Sequence, residues 1–250
     1  MVRELGLFVI SDGMGGEANG EMASAIAVEA VTNHCMSAGV NPRRAHAPRA
    51  YEHLSDKTRR LASGVEWANR KIRSAAAKNP AYRGMGATLV AGWLEGSVLS
   101  VVHVGDSRAY MLRDGRCKQL TRDHSLAAER ERRGLISRDE AQTSKLQNVL
   151  LRALGADDRV EVEAREFSVQ DGDVILLCTD GLTHLLSDSE IAGALVALED
   201  PQEASDRLIA MANERGGSDN ITAIVLRLRS ASGGLVQRLR RRFRKSECAV

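Results

Sequence analysis

What is scarce in this 250-residue chain already excludes several classes of protein. Its four cysteines, Cys35, Cys117, Cys178 and Cys248, stand more than 60 residues apart and form no CxxC pair. That spacing offers no zinc site, and a chain of this size needs no disulfide scaffold, so a reducing cytoplasm is the expected setting. With four prolines and no low-complexity run there is little room for long disorder. Eight aromatic side chains are too few for the stacking platforms that hold single-stranded nucleic acid. Apolar runs such as Val174–Cys178 fall far short of the ~20 residues that cross a bilayer. The apolar patch Leu5–Ile10 is no secretory core, and no signal peptide is expected.

What is present is unevenly placed. The net charge is +2, yet residues 233–250 hold six basic residues and one acid. That segment is +5, which leaves −3 for the rest. The body is mildly acidic, the basicity belongs to the tail, and nucleic acid is not an expected partner. A hydrophobic share of 43% is enough for a substantial core.

Periodicity separates helices from strands. Ala23, Ile26, Ala27, Ala30 and Val31 share one helical face within about Gly20–Cys35. A second helical stripe runs through Leu54, Leu61, Val65, Ala68, Ile72 and Ala75, over about Tyr51–Lys78, until Asn79-Pro80 stops it. Residues 38–50 read as loop. Short strands are expected at Leu7–Ile10, Thr88–Trp93, Val98–Val104, Arg108–Arg113 and Arg116–Leu120, and Asp114-Gly115 supplies a tight hairpin turn. Further strands fall at Val160–Phe167, Asp173–Thr179 and Ile221–Leu228. Ser137 with Glu140 and Ser187 with Glu190 form capping boxes, and Asp200-Pro201 opens another helix that Gly216-Gly217 ends. Consecutive hairpin strands with separate helices make the class antiparallel α+β.

Four aspartates then share one kind of position. Asp12 and Asp180 each end a strand before a glycine, Asp106 lies between Gly105 and Ser107 after a strand, and Asp219 precedes the last strand. Each is ordinary turn chemistry taken singly. Together, strand-end carboxylates that meet at one rim must share a proton or a cation. Without His or Cys ligands, that cation is Mg²⁺ or Mn²⁺ rather than zinc.

Six short words occur in order across residues 7–228: Asp12-Gly13-Met14-Gly15-Gly16, Gly86-Ala87-Thr88-Leu89, His103-Val104-Gly105-Asp106-Ser107-Arg108, Leu120-Thr121-Arg122-Asp123-His124-Ser125, Leu177-Cys178-Thr179-Asp180-Gly181-Leu182 and Ser218-Asp219-Asn220-Ile221-Thr222. In them the chain resembles the bacterial PPM-type metal-dependent serine/threonine protein phosphatases. The resemblance implies a four-layer sandwich, two antiparallel sheets flanked by helix pairs. It implies two Mn²⁺ or Mg²⁺ ions, with Asp12 bridging both, the Gly13 carbonyl on one, Asp180 and Asp219 on the other, and Asp106 at a weaker third site. Water activated between the ions would attack the phosphorus of phosphoserine or phosphothreonine on a substrate protein. It further implies a phosphatase domain over 1–230 with a flap at about 125–148, a basic tail over 231–250, a monomer, a cytoplasmic location and an opposing bacterial Ser/Thr kinase.

The chain departs from that family in two places. Members carry an N-terminal strand pair and an arginine that grips the substrate phosphate some twenty residues before the first metal aspartate. Only eleven residues precede Asp12, and Arg3 and Glu4 stand too close to serve. The expectation is a fold lacking those strands, whose natural start lies upstream. The phosphate-binding residue is unassigned, and the alternative is a pseudophosphatase that binds phosphoproteins without turnover. Met14 stands where many eukaryotic relatives have an acid histidine. His103 and His124 read as structural, so no general acid is assigned. In the tail, Leu235, Val236, Leu239 and Phe243 share a helical face among arginines, which fits either a solvated segment or a helix lying on anionic lipid. Deleting residues 233–250 and measuring co-sedimentation with anionic liposomes separates the two: loss of binding supports the lipid reading, and unchanged binding removes it.

Overall fold

The computed structural model describes residues 6–37 and 51–229. The 38–50 loop, the basic tail, Arg3, Glu4 and Cys248 lie outside the described residues.

The elements in chain order are β1 (Leu7–Ile10), β2 (Gly13–Met14), α1 (Glu17–Met36), α2 (Asp56–Lys78), β3 (Gly86–Ala87), β4 (Leu89–Glu95), β5 (Val98–Val104), β6 (Arg108–Arg113), β7 (Arg116–Gln119), α3 (Leu126–Arg132), α4 (Arg138–Thr143), β8 (Glu163–Ser168), β9 (Val174–Cys178), α5 (Asp180–Thr183), α6 (Asp188–Ala197), α7 (Pro201–Glu214) and β10 (Ala223–Arg227). One sheet has the order β1-β4-β5-β8 and the other β10-β9-β6-β7, and every pairing is antiparallel. A separate two-stranded ribbon, β2 with β3, went unforeseen because two residues are too few to show a period.

Side-chain alternation along each strand builds the layers. Leu7, Val9, Leu89, Ala91, Trp93, Val102 and Val104 face α1 and α2 in one buried cluster. Their neighbours Phe8, Ile10, Val90 and Val101 join Ala109, Ile175 and Leu177 between the two sheets. Tyr110, Leu112, Val174, Leu176 and Cys178 point the other way, into a cluster with α6 and α7. The order is therefore helices, sheet, sheet, helices. Every residue of β9 is buried, since its antiparallel sheet is covered on both faces.

Several boundaries shift. The second helix begins at Asp56, where the Ser55 hydroxyl accepts from the Thr58 N–H as N-cap, so Tyr51 and Leu54 lie outside it. Tyr51 is buried all the same, its hydroxyl donating to the Val162 carbonyl at 2.6 Å. The strand expected over 160–167 begins only at Glu163, and the last strand begins at Ala223. Both capping boxes form, and Asp114-Gly115 turns with both φ angles positive, at 50° and 75°. Among the described residues no helix is long and apolar enough to cross a membrane.

Register decides where the catalytic candidates sit. Ile10 at the end of β1 pairs with Val90, and Leu89 beside it pairs with Val104 at the end of β5. In the other sheet Cys178 at the end of β9 pairs with both Arg108 and Ala223, the first residues of β6 and β10. The segments carrying Asp12, Asp106, Asp180 and Asp219 thus emerge at one end of the sandwich. Leu177 holds the sheets together at their centre, 1% exposed. Leu177→Ala is expected to destabilise the fold by about 2–5 kcal/mol in denaturant titration, the range for a large side chain removed from a packed core.

Candidate metal centre

Asp12 sits in the link between β1 and β2, held by two hydrogen bonds to Thr88 and flanked by a third from its neighbour Ser11. The Thr88 N–H donates to the Asp12 carbonyl at 2.8 Å, the Asp12 N–H donates to Thr88 Oγ1 at 3.2 Å, and Ser11 Oγ donates to the Thr88 carbonyl at 2.6 Å. Thr88 Oγ1 also lies 2.7 Å from Ser107 Oγ, which ties the Asp12 loop to the one carrying Asp106. The turn there is glycine-dependent: Gly105 has φ +99°, and a Cβ on it would lie 2.7 Å from the Thr88 side chain. Gly13 is equally confined, because a Cβ there would meet the Gly20 carbonyl oxygen at 1.9 Å. Its smallness lets α1 pack against β2.

Asp180 opens α5. The residue before it, Thr179, donates from Oγ1 to the Asn220 carbonyl at 3.0 Å and accepts there from the Thr222 N–H at 3.0 Å. A Cβ on Gly181 would lie 2.5 Å from the Asn220 carbonyl oxygen. These contacts bring the Asp219 loop against Asp180. Asp219 Oδ1 accepts from the Asn220 N–H at 2.7 Å.

The carboxylates so assembled perturb one another. Asp12 is pushed up to about 7 by burial first, then by the charge of Asp180, a hydrogen bond shared with Asp180, and the charge of Asp219. Asp106 is pushed up to about 8, by burial and then by the charges of Asp180 and Asp123. Asp180 Oδ1 is buried with no hydrogen-bond donor among the described residues. Carboxylates in contact without donors require a proton or a cation. A cluster of carboxylate oxygens with one confined glycine backbone is a donor set for a hard divalent ion, and these residues fit one.

Two groups beside the cluster carry roles that sequence spacing does not assign. His184, four residues after Asp180 on one helical turn, places Nδ1 3.7 Å from Asp180 Oδ2. Thr88 lies within one of the six words, yet its function as the tie between two loops appears only in the hydrogen bonds. His103 and His124 stack with centroids 4.7 Å apart and planes at 21°. Their nitrogens and a Glu163 oxygen lie within 4.8 Å of one another. Ring lone pairs lie in the ring plane, so stacked rings do not converge on one ion. His103 Nε2 instead sits 2.8 Å from the Arg122 carbonyl, and burial, then the neighbouring His124, pushes His103 down to about 4. His124 Nδ1 accepts from the Gly105 N–H at 3.2 Å, so the neutral ring carries its proton on Nε2, 3.5 Å from Glu163 Oε2. Arg152, which pairs with Glu161, lies 3.3 Å from that same nitrogen. The His124 N–H also donates to the Gly105 carbonyl at 3.0 Å. Both histidines are structural, and His124 braces the strap that bears Asp106. Cys35 and Cys178 are buried and Cys117 half-buried, with burial pushing all three thiols up. Buried thiols held in the protonated form are poor nucleophiles.

Residues 3–224 match the family described as Protein phosphatase 2C. The serine/threonine phosphatase stp of Listeria monocytogenes is 34% identical over 220 residues, spanning 88% of this chain and 83% of that protein. The crystal structure of the Mycobacterium tuberculosis serine/threonine phosphatase PstP/Ppp superposes with a TM-score of 0.79 at 33% identity, over 90% of this chain and 88% of that one. The PstP catalytic domain in complex with two manganese ions superposes with a TM-score of 0.71 at 33% identity, over 88% and 86%.

The raised carboxyls have a measurable consequence. Asp12 and Asp106 keep their protons to higher pH in the folded chain than in the unfolded one, where each titrates near 3.8. The metal-free fold therefore binds more protons than the unfolded chain, and these two groups make its stability fall as pH rises from about 4 to about 8. A divalent cation takes the place of those protons. The gain in Tm from Mn²⁺ over an EDTA control is expected to grow between about pH 5.5 and pH 8. A gain independent of pH would mean that the carboxyls do not share protons in the metal-free state.

Proposed function

The chain belongs to the protein phosphatase 2C family, and from that premise we propose that it hydrolyses phosphoserine and phosphothreonine on proteins, with Mn²⁺ or Mg²⁺ as cofactor. The observation that carries the reading is the convergence of four aspartates, from four separate loops, at one end of the sandwich. Two of them, Asp12 and Asp106, are pushed up by burial and then by the charge of Asp180.

Asp12, seated between the two halves of the site, would contact both ions, with the Gly13 carbonyl on one of them. Asp180 and Asp219, joined through Thr179 and Asn220, would hold the other, and Asp106 a weaker third. When bound, such ions supply a nucleophile acidified to near-neutral pKa and neutralise the phosphoryl oxygens. The chain's own work is to keep these carboxylates close and fixed. Thr88 fixes Asp12 against the Ser107 side, and His124 fixes Gly105. No covalent intermediate is needed, in keeping with the protonated thiols. Residues 1–230 would form the phosphatase domain, acting as a cytoplasmic monomer opposite a Ser/Thr kinase.

The test is hydrolysis of a phosphothreonine peptide with Mn²⁺ and then with excess EDTA. Turnover that EDTA abolishes supports the proposal. A folded, Mn²⁺-binding protein without turnover points instead to a phosphoprotein-binding pseudoenzyme. Asp180→Asn is expected to lower kcat by about a thousandfold or more while circular dichroism stays unchanged, the scale of loss when charge stabilisation of the transition state is removed. Near-full activity in that variant overturns the ligand assignment.

A further inference from the structure

A cavity of about 520 Å³ lies between the β6–β7 hairpin, the 125–148 segment and the start of α6. Five cations and three carboxylates line it. Most of that charge is already committed. Arg108 makes a bidentate pair with Asp123, with contacts of 2.7 to 3.1 Å, and its Nη1 donates to the Tyr110 hydroxyl at 2.9 Å. Arg138 on α4 reaches Asp188 at 2.8 Å, and the other Asp188 oxygen accepts from Tyr110 at 3.1 Å. Arg132 is held by Glu129.

Lys118 and Arg122 are different. Both are exposed, both line the cavity, and neither forms an ion pair with a carboxylate among the described residues. Arg122 is also anchored at its backbone, where its carbonyl meets His103 Nε2, so its side chain departs from a rigid point. Position relative to the metal centre is set by the same loop. Arg108 and Asp123, which form one side of the cavity, are close enough to act electrostatically on Asp106. Arg108 stands two residues after Asp106, so this wall of the cavity begins at the loop that carries Asp106.

We propose that the cavity is a docking subsite for an acidic side chain, Asp or Glu, that flanks the phosphorylated residue of the substrate, with Lys118 and Arg122 as the cations that receive it. The inference rests on the phosphatase reading above and adds a substrate class to it. The rival account is that Lys118, on edge strand β7, only discourages strand-to-strand association, a common use of edge lysines. Under that account, removing its charge changes no preference among substrates.

The experiment compares two phosphothreonine peptides, one with glutamates and one with glutamines beside the phosphothreonine, on the full chain with Mn²⁺. Wild type is expected to favour the acidic peptide by about tenfold in kcat/KM, through KM rather than kcat, and the preference should shrink at high salt. In Lys118→Gln/Arg122→Gln the ratio between the peptides is expected to fall to about one. Equal kcat/KM for both peptides in wild type overturns the subsite, as does a ratio the double variant retains. An equal loss on both peptides in that variant also overturns it, by assigning the two side chains a structural role. Should wild type turn over neither peptide, the phosphatase reading fails separately. The subsite is then judged by fluorescence anisotropy, where the same tenfold preference in Kd supports it and equal Kd values overturn it.

Discussion

Crowding of like charge at one end of a β-sandwich is the constraint on which this structure turns. Asp12, Asp106, Asp180 and Asp219 are gathered where one buried oxygen, Asp180 Oδ1, has no donor, and burial raises the free energy of charge on Asp12 and Asp106. Alone, such a cluster is a defect that protons only partly relieve. Carboxylates that repel one another all attract the same ions, which makes the cluster a candidate site for divalent cations. The fold tolerates the defect because its stability comes from elsewhere.

That stability comes from three apolar clusters stacked through the molecule, two under helix pairs and one between the sheets. None of them contains an acidic residue. The charged end therefore hangs from strand termini whose positions are set by register in the core behind them. Local ties then refine the placement. Thr88 joins the first sheet's loop to the strap between sheets, Thr179 joins the last two strands, and the His124 ring receives the strap at Gly105. Small polar side chains suit this role, since they satisfy backbone groups without adding charge to a site that has too much already.

Charge is segregated across the molecule's functional end. The metal centre concentrates carboxylates, whereas the cavity walled by Arg108 and Asp123 is lined by more cations than acids. The Arg108–Asp123 pair stands at the boundary, 18% and 14% exposed, and Arg108 partly offsets the carboxylates around Asp106.

Much of this was legible in the amino-acid sequence. Alternation and helical stripes located most of the strands and the major helices, capping boxes marked helix starts, and the four aspartates stood out by their strand-end positions. Those features are local, arising within a few residues of one another. The β2–β3 ribbon, the helix start at Asp56 and the late start of β8 were not legible, because each depends on partners far along the chain. The sequence by itself determined the antiparallel α+β class and marked the four aspartates as candidates for a hard cation, because strand period and residue type are local properties. Only the tertiary structure decided that the four aspartates share one rim, that Thr88 and His124 brace it, and that Lys118 and Arg122 line a cavity without acidic partners. Proximity between distant residues is a property of register and packing, and no residue carries it alone.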